Sequence, residues 1–185
     1  MVPVTHCQNS YGVVLDTGSG GCGKDSFGRV VYSGDCRPST RLVDVALKGG
    51  GAKGVDLLIH EATFEDGMES EALIKRHSTV GEALGVGRGM GAKTVVLTHF
   101  SQRYPKIPPF GGCDGDGGGT DDRDGVGGST APPPAVVVAF DFMRVRPGNL
   151  CLASKLTPAL RLLYPAEEEG GGRRRERCGT EGRCG

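Results

Sequence analysis

The sequence predicts an α/β fold with parallel strands, and three features of residues 55–104 support that prediction. Short apolar runs occur at 55–59 and at 95–97, and runs of this kind are typical of strands buried on both faces. Between them a helix is predicted, with Ser78 or Thr79 as its N-cap and Glu82 three or four positions later. Its apolar residues recur on one face and are Val80, Ala83, Leu84, Gly87 and Met90. Strand, helix and strand in this order indicate parallel neighbours in one sheet.

Polar residues stand at the ends of both predicted strands. His60 and Glu61 follow the first apolar run, His99 follows the second, and His77 opens the segment between them. Ligands of open α/β sheets bind at the carboxyl ends of the strands. We therefore expect His60, Glu61 and His99, together with His77, to meet on one rim of the sheet.

The remaining elements follow from apolar spacing and chain breakers. They are a hairpin at 1–16, a strand at 29–33, a helix at 40–48, a strand at 135–143 and a helix at 156–164. The glycine-rich segment 17–27 lacks the GxxxxGK[ST] pattern of a phosphate-binding loop and no helical pattern follows it. A long hairpin loop is the interpretation that these features favour.

The composition divides the chain into an ordered part and two low-complexity parts. The 185 residues include 33 glycines, 11 prolines and no tryptophan, so the core is confined to part of the chain. We expect one domain built from residues 1–110 and 135–165. The acidic, glycine-rich insertion 111–134 and the charged tail 166–185 are predicted to be disordered, because they cannot bury enough apolar surface.

Charge and cysteine content restrict the class of protein. With 22 basic and 22 acidic residues the net charge is zero, so charge alone favours a protein without a nucleic-acid partner. The seven cysteines show no CxxC spacing, which favours reduced thiols in an intracellular protein over a disulfide framework or a zinc finger. No apolar stretch approaches 18 residues, and the first residues do not have the pattern of a signal peptide, so no membrane span is expected.

Three motifs in order resemble one family. LLIHEATFEDG at 57–67, HST at 77–79 and LTHFSQRY at 97–104 are similar to blocks of ribonuclease Z, the endonuclease that removes the 3′ trailer from precursor tRNA. The resemblance is strongest to the carboxy-terminal half of the long eukaryotic form. It implies the corresponding half of a metallo-β-lactamase-type αββα sandwich, with two zinc ions in the complete enzyme and precursor tRNA as substrate.

The resemblance also implies metal ligands. VPVTHC at 2–7 resembles a block that supplies a histidine ligand, here His6, and YSGDCRP at 32–38 resembles one whose aspartate, here Asp35, bridges two metal ions. His99 corresponds to the last ligand. From the residues alone, the alternatives are a solvated or hydrogen-bonded strand-end histidine for His6 and an Asx turn before the next helix for Asp35.

Two residues take catalytic roles by the same resemblance. His77 corresponds to the histidine that donates a proton to the leaving 3′ oxygen, a role that suits imidazole because its pKa lies near neutrality. Glu61 orients a neighbouring histidine or touches the substrate. The alternatives are a solvent-exposed ring for His77 and a structural hydrogen bond for Glu61.

Substrate contacts are predicted around the HST and SQRY segments. Ser78 and Thr79 directly follow His77, while Arg103 and Tyr104 have the chemistry to contact phosphate or to stack on a base. A surface arginine and a packed aromatic ring are the alternatives. Cys36 stands where the family usually carries threonine, so weaker support of the neighbouring aspartate is expected.

One departure limits what this chain can do. The HxHxDH signature of the family, which supplies most metal ligands and the general base, occurs nowhere in the sequence. The chain alone is therefore expected to be inactive and to be the carboxy-terminal piece of a longer enzyme, paired as a homodimer or as a pseudo-dimer with an amino-terminal half. A non-catalytic binding module and another hydrolase of this fold remain alternatives. The expected compartment is the mitochondrion, the nucleus or both.

Overall fold

The computed structural model describes residues 1–17, 27–48, 54–101 and 132–150, together with residues 152, 153, 155 and 156. Within them six strands form one sheet in the order β1 to β6. The strands are β1 (Val2–Pro3), β2 (Tyr11–Asp16), β3 (Arg29–Tyr32), β4 (Leu57–Glu61), β5 (Thr94–Thr98) and β6 (Ala135–Val138). The helices are α1 (Thr40–Leu47), α2 (Glu69–Lys75) and α3 (Val80–Gly89), and a 3₁₀ turn spans Pro147–Asn149.

The sheet is mixed, and its parallel part is the one that the apolar runs predicted. β1, β2 and β3 pair antiparallel, which confirms the hairpin at the start of the chain. β3, β4, β5 and β6 are parallel, with Leu58 opposite both Val31 and Val95. The carboxyl ends of these four strands therefore lie along one edge.

Helices α1 and α3 cover one face of the sheet. The buried cluster on that face contains Leu58 and Val95 from the strands, Leu42 from α1, Ala83 from α3 and Met90, the C-cap of α3. On the opposite face a second buried cluster contains Leu57, Val96, Val137 and Leu150. Successive strand residues point to opposite faces, so both faces of β4 and β5 are apolar. The described residues thus have the predicted α/β class, with one sheet and helices packed against it.

Local signals in the sequence account for the helix starts. Ser39 accepts a hydrogen bond from the N–H of Leu42 and caps α1. Thr79 and Glu82 form a capping box at the start of α3, as their spacing predicted. Further along α3, a Cβ added to Gly87 would lie 2.4 Å from Val95 Cγ2, so glycine is what allows the helix to approach the sheet this closely.

Two elements differ from the sequence-based prediction. Helix α2 was not predicted, although its first turn carries the acidic residues Glu69 and Glu71. The strand predicted for 135–143 ends at Val138, because the chain then turns and the N–H of Met143 bonds to the carbonyl of Phe140 at 3.1 Å. Phe142 lies in that turn with a left-handed φ of 63°, a conformation that cannot continue a strand.

Several predictions fall outside the described residues. They concern loop residues 18–26, Arg103 and Tyr104, insertion residues 111–131, the helix predicted after residue 156, and the tail 166–185. The domain boundaries stay a prediction. In the part of the chain that the structure covers, no helix has the length and apolar character needed to cross a membrane.

Candidate functional site

Three predicted site residues lie at the carboxyl edge of the parallel strands. Asp35 is in the loop after β3, Glu61 is the last residue of β4, and His99 directly follows β5. Because β4 pairs in parallel with both β3 and β5, these positions share one edge. The structure therefore brings Asp35, Glu61 and His99 together, as the pattern of polar residues at strand ends predicted.

His77 reaches the same edge from the link between α2 and α3. Helix α2 ends at Arg76, which adopts a left-handed φ of 60° as the C-cap. The N–H of His77 then bonds to the carbonyl of Ala72 at 2.9 Å, which closes the turn. Its ring stacks on that of His99, with centroids 5.3 Å apart and an angle of 19° between the planes.

The carboxylate of Glu61 is the buried charge at the base of the site, and the residue is only 1% exposed. Its Oε1 accepts a hydrogen bond from the N–H of Cys36 at 2.9 Å and lies 2.8 Å from His77 Nδ1. Its Oε2 accepts from the N–H and the hydroxyl of Thr63 at 3.1 and 2.7 Å. These four contacts fill the acceptor sites of an ionised carboxylate, which has no proton to donate. His77 Nδ1 therefore donates to Glu61, and His77 Nε2 is left for another partner.

Asp35, His77 and His99 form a cluster with the chemistry of metal ligands. One donor atom of each lies within 4.8 Å of the other two, and His99 Nε2 lies 3.4 Å from Asp35 Oδ2. Imidazole nitrogens and carboxylate oxygens are zinc ligands, and catalytic zinc keeps three protein ligands with one open position. The three residues therefore fit a zinc ion. The cluster includes His77, to which the motif resemblance assigns proton transfer.

His6 lies beside this cluster and is not one of its three donors. Its ring centroid is 4.6 Å from that of His77. His6 Nδ1 lies 3.0 Å from the carbonyl oxygen of Arg76, and Arg76 Nη1 donates to the carbonyl of His6 at 2.8 Å. These reciprocal contacts hold the loop after β1 against the turn that presents His77. The role of His6 as a metal ligand stays a prediction.

His60 does not join the rim, which corrects the expectation for this residue. It is fully buried and lies on the face of β4 that packs against the helices, because adjacent strand residues point to opposite faces. Its Nδ1 lies 2.7 Å from the carbonyl oxygen of Glu61. Burial lowers the pKa of His60 below its usual value, since desolvation disfavours the imidazolium.

The residues predicted to contact substrate have different outcomes. Ser78 and Thr79 are 0% and 1% exposed, so neither side chain faces solvent in this structure, and their contact with substrate stays a prediction. The Ser78 hydroxyl donates to the carbonyl of Cys36 at 2.6 Å, and the Thr79 hydroxyl caps α3. Both hydroxyls are therefore used in internal hydrogen bonds. Arg103 and Tyr104 lie outside the described residues.

Sequence reasoning missed Thr63 and the backbone N–H of Cys36. The position of Thr63, two residues after the strand-end carboxylate of Glu61, is a signal that the sequence could have given. The 2.8 Å contact between the Thr63 hydroxyl and His99 Nδ1 depends on the tertiary structure. Burial and the nearby charge of Glu61 raise the pKa of the Cys36 thiol to about 12. The thiol therefore stays neutral, and Glu61 is supported by the backbone of Cys36, which does not depend on the side chain that replaces threonine.

Comparison with known proteins shows that the chain is similar in sequence to zinc phosphodiesterase and tRNase Z proteins. No family model matches it. It is 42% identical over 166 residues to the zinc phosphodiesterase ELAC protein 2 homolog of Caenorhabditis elegans, covering 90% of this chain and 16% of the relative. It is 36% identical over 168 residues to "tRNase Z TRZ3, mitochondrial" of Arabidopsis thaliana, covering 89% of this chain and 16% of the relative.

The fold agrees with the sequence. The crystal structure of a long form RNase Z from yeast matches with a TM-score of 0.58 and 30% identity, over 87% of this chain and 18% of that chain. The chain thus spans less than a fifth of the length of these relatives. Its sequence and its fold show that the chain is a homologue of the ribonuclease Z proteins, as its motifs indicated.

Proposed function

We propose that this chain is the carboxy-terminal part of a zinc-dependent endoribonuclease that removes the 3′ trailer from precursor tRNA. The observation that supports this most strongly is the buried Glu61 carboxylate 2.8 Å from His77 Nδ1, next to the Asp35 and His99 donors. Two metal-ligand side chains, Asp35 and His99, beside a histidine that is oriented by a carboxylate are typical of a metal-assisted hydrolase. The names of the relatives, a zinc phosphodiesterase and a tRNase Z, support the proposed substrate class.

The metal part of the proposal comprises two zinc ions in the complete enzyme. In the complete enzyme His99 and His6 would each supply a ligand to one ion and Asp35 would supply oxygen donors to both, because closely spaced cations need an anionic donor that offsets their repulsion. When bound, zinc supplies activation of water and stabilisation of charge at the phosphate. Within the chain, the position of His99 Nε2 3.4 Å from Asp35 Oδ2 supports a shared site for these two ligands.

His77 acts as the proton donor to the leaving 3′ oxygen. Glu61 accepts a hydrogen bond from the Nδ1–H of His77, so it orients the ring and stabilises the imidazolium that carries the second proton on Nε2. The side chain of His77 is 16% exposed, which leaves the ring within reach of a bound substrate. Glu61 is therefore a positioning residue in this proposal, and His77 is the catalytic one.

Other parts of the enzyme must complete the centre. The HxHxDH signature is absent from the sequence, and the chain alone offers three expected ligands for two ions. We infer that it is inactive by itself and is completed by an amino-terminal part or by a second copy. A second candidate function is a non-catalytic binding module of this fold, which would carry the same residues within this chain.

The proposal also includes two residues that contact the substrate and a cellular compartment. Arg103 and Tyr104 directly follow the His99 loop in sequence, where they are suited to phosphate contact and base stacking. We propose the mitochondrion, the nucleus or both as the site of action, because a relative is named as mitochondrial.

The test uses the full-length product of the gene that encodes this chain and a precursor tRNA labelled in its 3′ trailer. Cleavage should leave a 3′ hydroxyl on the tRNA, should stop with a chelator and should return with zinc. His77→Ala should lower kcat by about 10²–10⁴, whereas Glu71→Gln on the exposed side of α2 should have no effect. Full activity of His77→Ala would refute the catalytic assignment, and absence of cleavage by the wild-type product would favour the binding module.

A further inference from the structure

The hydroxyl of Thr63 is a node between three groups of the site. It lies 2.7 Å from Glu61 Oε2, 2.8 Å from His99 Nδ1 and 3.2 Å from His77 Nδ1. The backbone N–H of Thr63 also donates to Glu61 Oε2, at 3.1 Å. Threonine has one hydroxyl proton and two acceptor lone pairs, so these contacts cannot all have the same direction.

The direction of each bond follows from the proton count. The Glu61 carboxylate only accepts, so the Thr63 hydroxyl donates its one proton to Oε2. The Thr63 hydroxyl oxygen must then accept a hydrogen bond from His99 Nδ1, because the hydroxyl has no second proton to donate. His99 therefore carries its proton on Nδ1 and its lone pair on Nε2, the atom that lies 3.4 Å from Asp35 Oδ2.

The backbone around His99 is held by the same segment. His99 has a left-handed φ of 60°, which is uncommon for a residue with a side chain. The N–H of Ala62 bonds to the carbonyl of Thr98 at 2.8 Å, and the N–H of Ser101 bonds to the carbonyl of Thr63 at 3.3 Å. Residues 62–63 thus clamp the chain on both sides of His99, in addition to the contact with its ring.

We propose that Thr63 is a positioning residue that fixes the Nδ1–H tautomer of His99 and directs its Nε2 lone pair into the cluster with Asp35. A metal-binding histidine is usually oriented in this way by an acceptor at its other ring nitrogen. Here the acceptor is a hydroxyl polarised by the buried carboxylate of Glu61. The consequence for zinc rests on the proposed function, whereas the tautomer is a property of the folded chain alone.

The tautomer can be measured directly in the metal-free 185-residue chain. Long-range ¹H–¹⁵N correlation spectra at about pH 8, where histidines are neutral, should show the Nδ1–H form for His99. Thr63→Val keeps the shape and removes the hydroxyl, and it should shift His99 towards the Nε2–H form. Thr63→Ser restores the hydroxyl and should restore the tautomer. His60, whose Nδ1 faces the carbonyl of Glu61, is the internal reference that should not change.

Metal affinity gives the second readout, measured on the full-length product with zinc or cobalt. Thr63→Val should weaken binding about 10–100-fold, and Thr63→Ser should bind as the wild type does. An Nε2–H form of His99 in the wild-type chain, or an unchanged tautomer in Thr63→Val, would overturn the proposal. Wild-type protein with the expected tautomer and no zinc binding would instead refute the proposed function and leave the role of Thr63 in the fold intact.

Discussion

Replacing Gly87 by alanine tests the packing of α3 on the sheet, which positions the start of that helix beside His77. The added Cβ would lie 2.4 Å from Val95 Cγ2 and 3.6 Å from Leu58 Cδ2. Ordinary carbon contacts are about 3.5–4.0 Å, so helix and strand must separate by roughly 1 Å. Val95 is fully buried, and its β-branched side chain has few other rotamers to adopt.

Two opposing effects set the size of the change. Overpacking a close contact costs about 1–3 kcal/mol, and alanine in a helix interior stabilises by about 0.5–1 kcal/mol relative to glycine. We expect Gly87→Ala to lower the free energy of unfolding by about 1–2 kcal/mol. Gly85 provides a matched control in the same helix, because its added Cβ meets only Arg88 Nη2 at 4.0 Å. Gly85→Ala should therefore raise stability by about 0.5–1 kcal/mol.

The assay is urea unfolding of the 185-residue chain followed by circular dichroism. In a Val95→Ala background the clash is relieved, so the cost of Gly87→Ala should become smaller than in the wild type. Equal stability of Gly87→Ala and Gly85→Ala would refute the inferred close approach of helix and strand.

Three further predictions concern charged groups. Partial burial acts to raise the pKa of Asp56, but hydrogen bonds from Lys93 and from two backbone N–H groups outweigh it and hold that pKa below 3.8. Asp56→Asn should therefore lower the free energy of unfolding by about 1–3 kcal/mol at pH 7, and the difference should vanish as pH falls through the native pKa. Burial lowers the pKa of His60. Below about pH 6.5 the unfolded state therefore binds a proton on this ring more readily than the native state does, which favours unfolding. The wild type should then lose more stability than His60→Leu between pH 7 and pH 5. Glu61→Gln should lower kcat of the full-length product about 10²-fold or more, because an amide cannot accept from all four donors.

Each of these predictions has a control and a contradicting result. For Asp56→Asn, denaturant melts from pH 2.5 to 7 should be compared with Asp44→Asn at an exposed position, and a difference that persists at the lowest pH would exclude the linkage. Parallel pH profiles for the wild type and His60→Leu would show that burial of His60 has no effect on its protonation. Glu71→Gln is the control for Glu61→Gln, and unchanged turnover in Glu61→Gln would remove that carboxylate from the mechanism.

The strands and the capped helix could be predicted because their signals are local. The apolar run before His60 and the spacing of Thr79 and Glu82 depend on neighbours in the sequence, and both gave the observed elements. The end of β6 could not be placed, because Phe142 adopts a left-handed conformation that its side chain does not suggest. Strand β4 continues through His60 and Glu61, and the apolar run before them has no alternation that shows which of the two faces the rim.

The sequence predicted which residues lie at the candidate site, but it did not predict the hydrogen bonds between them. Motifs at strand ends placed Asp35, Glu61 and His99 at one edge. The bond between Thr63 and His99 joins residues 36 positions apart, and its length depends on the register of β4 and β5 and on the turn at His99. Hydrogen-bond directions of this kind require the folded geometry, which explains why Thr63 was missed.

The most direct measurement compares the full-length product with the 185-residue chain in a cleavage assay on precursor tRNA, with and without zinc. We predict that the full-length product releases the 3′ trailer only with zinc, that Asp35→Asn and His99→Ala abolish the release, and that the chain alone is inactive. Zinc-independent cleavage, or cleavage that survives both substitutions, would contradict the proposal that this edge of the sheet is part of a zinc phosphodiesterase.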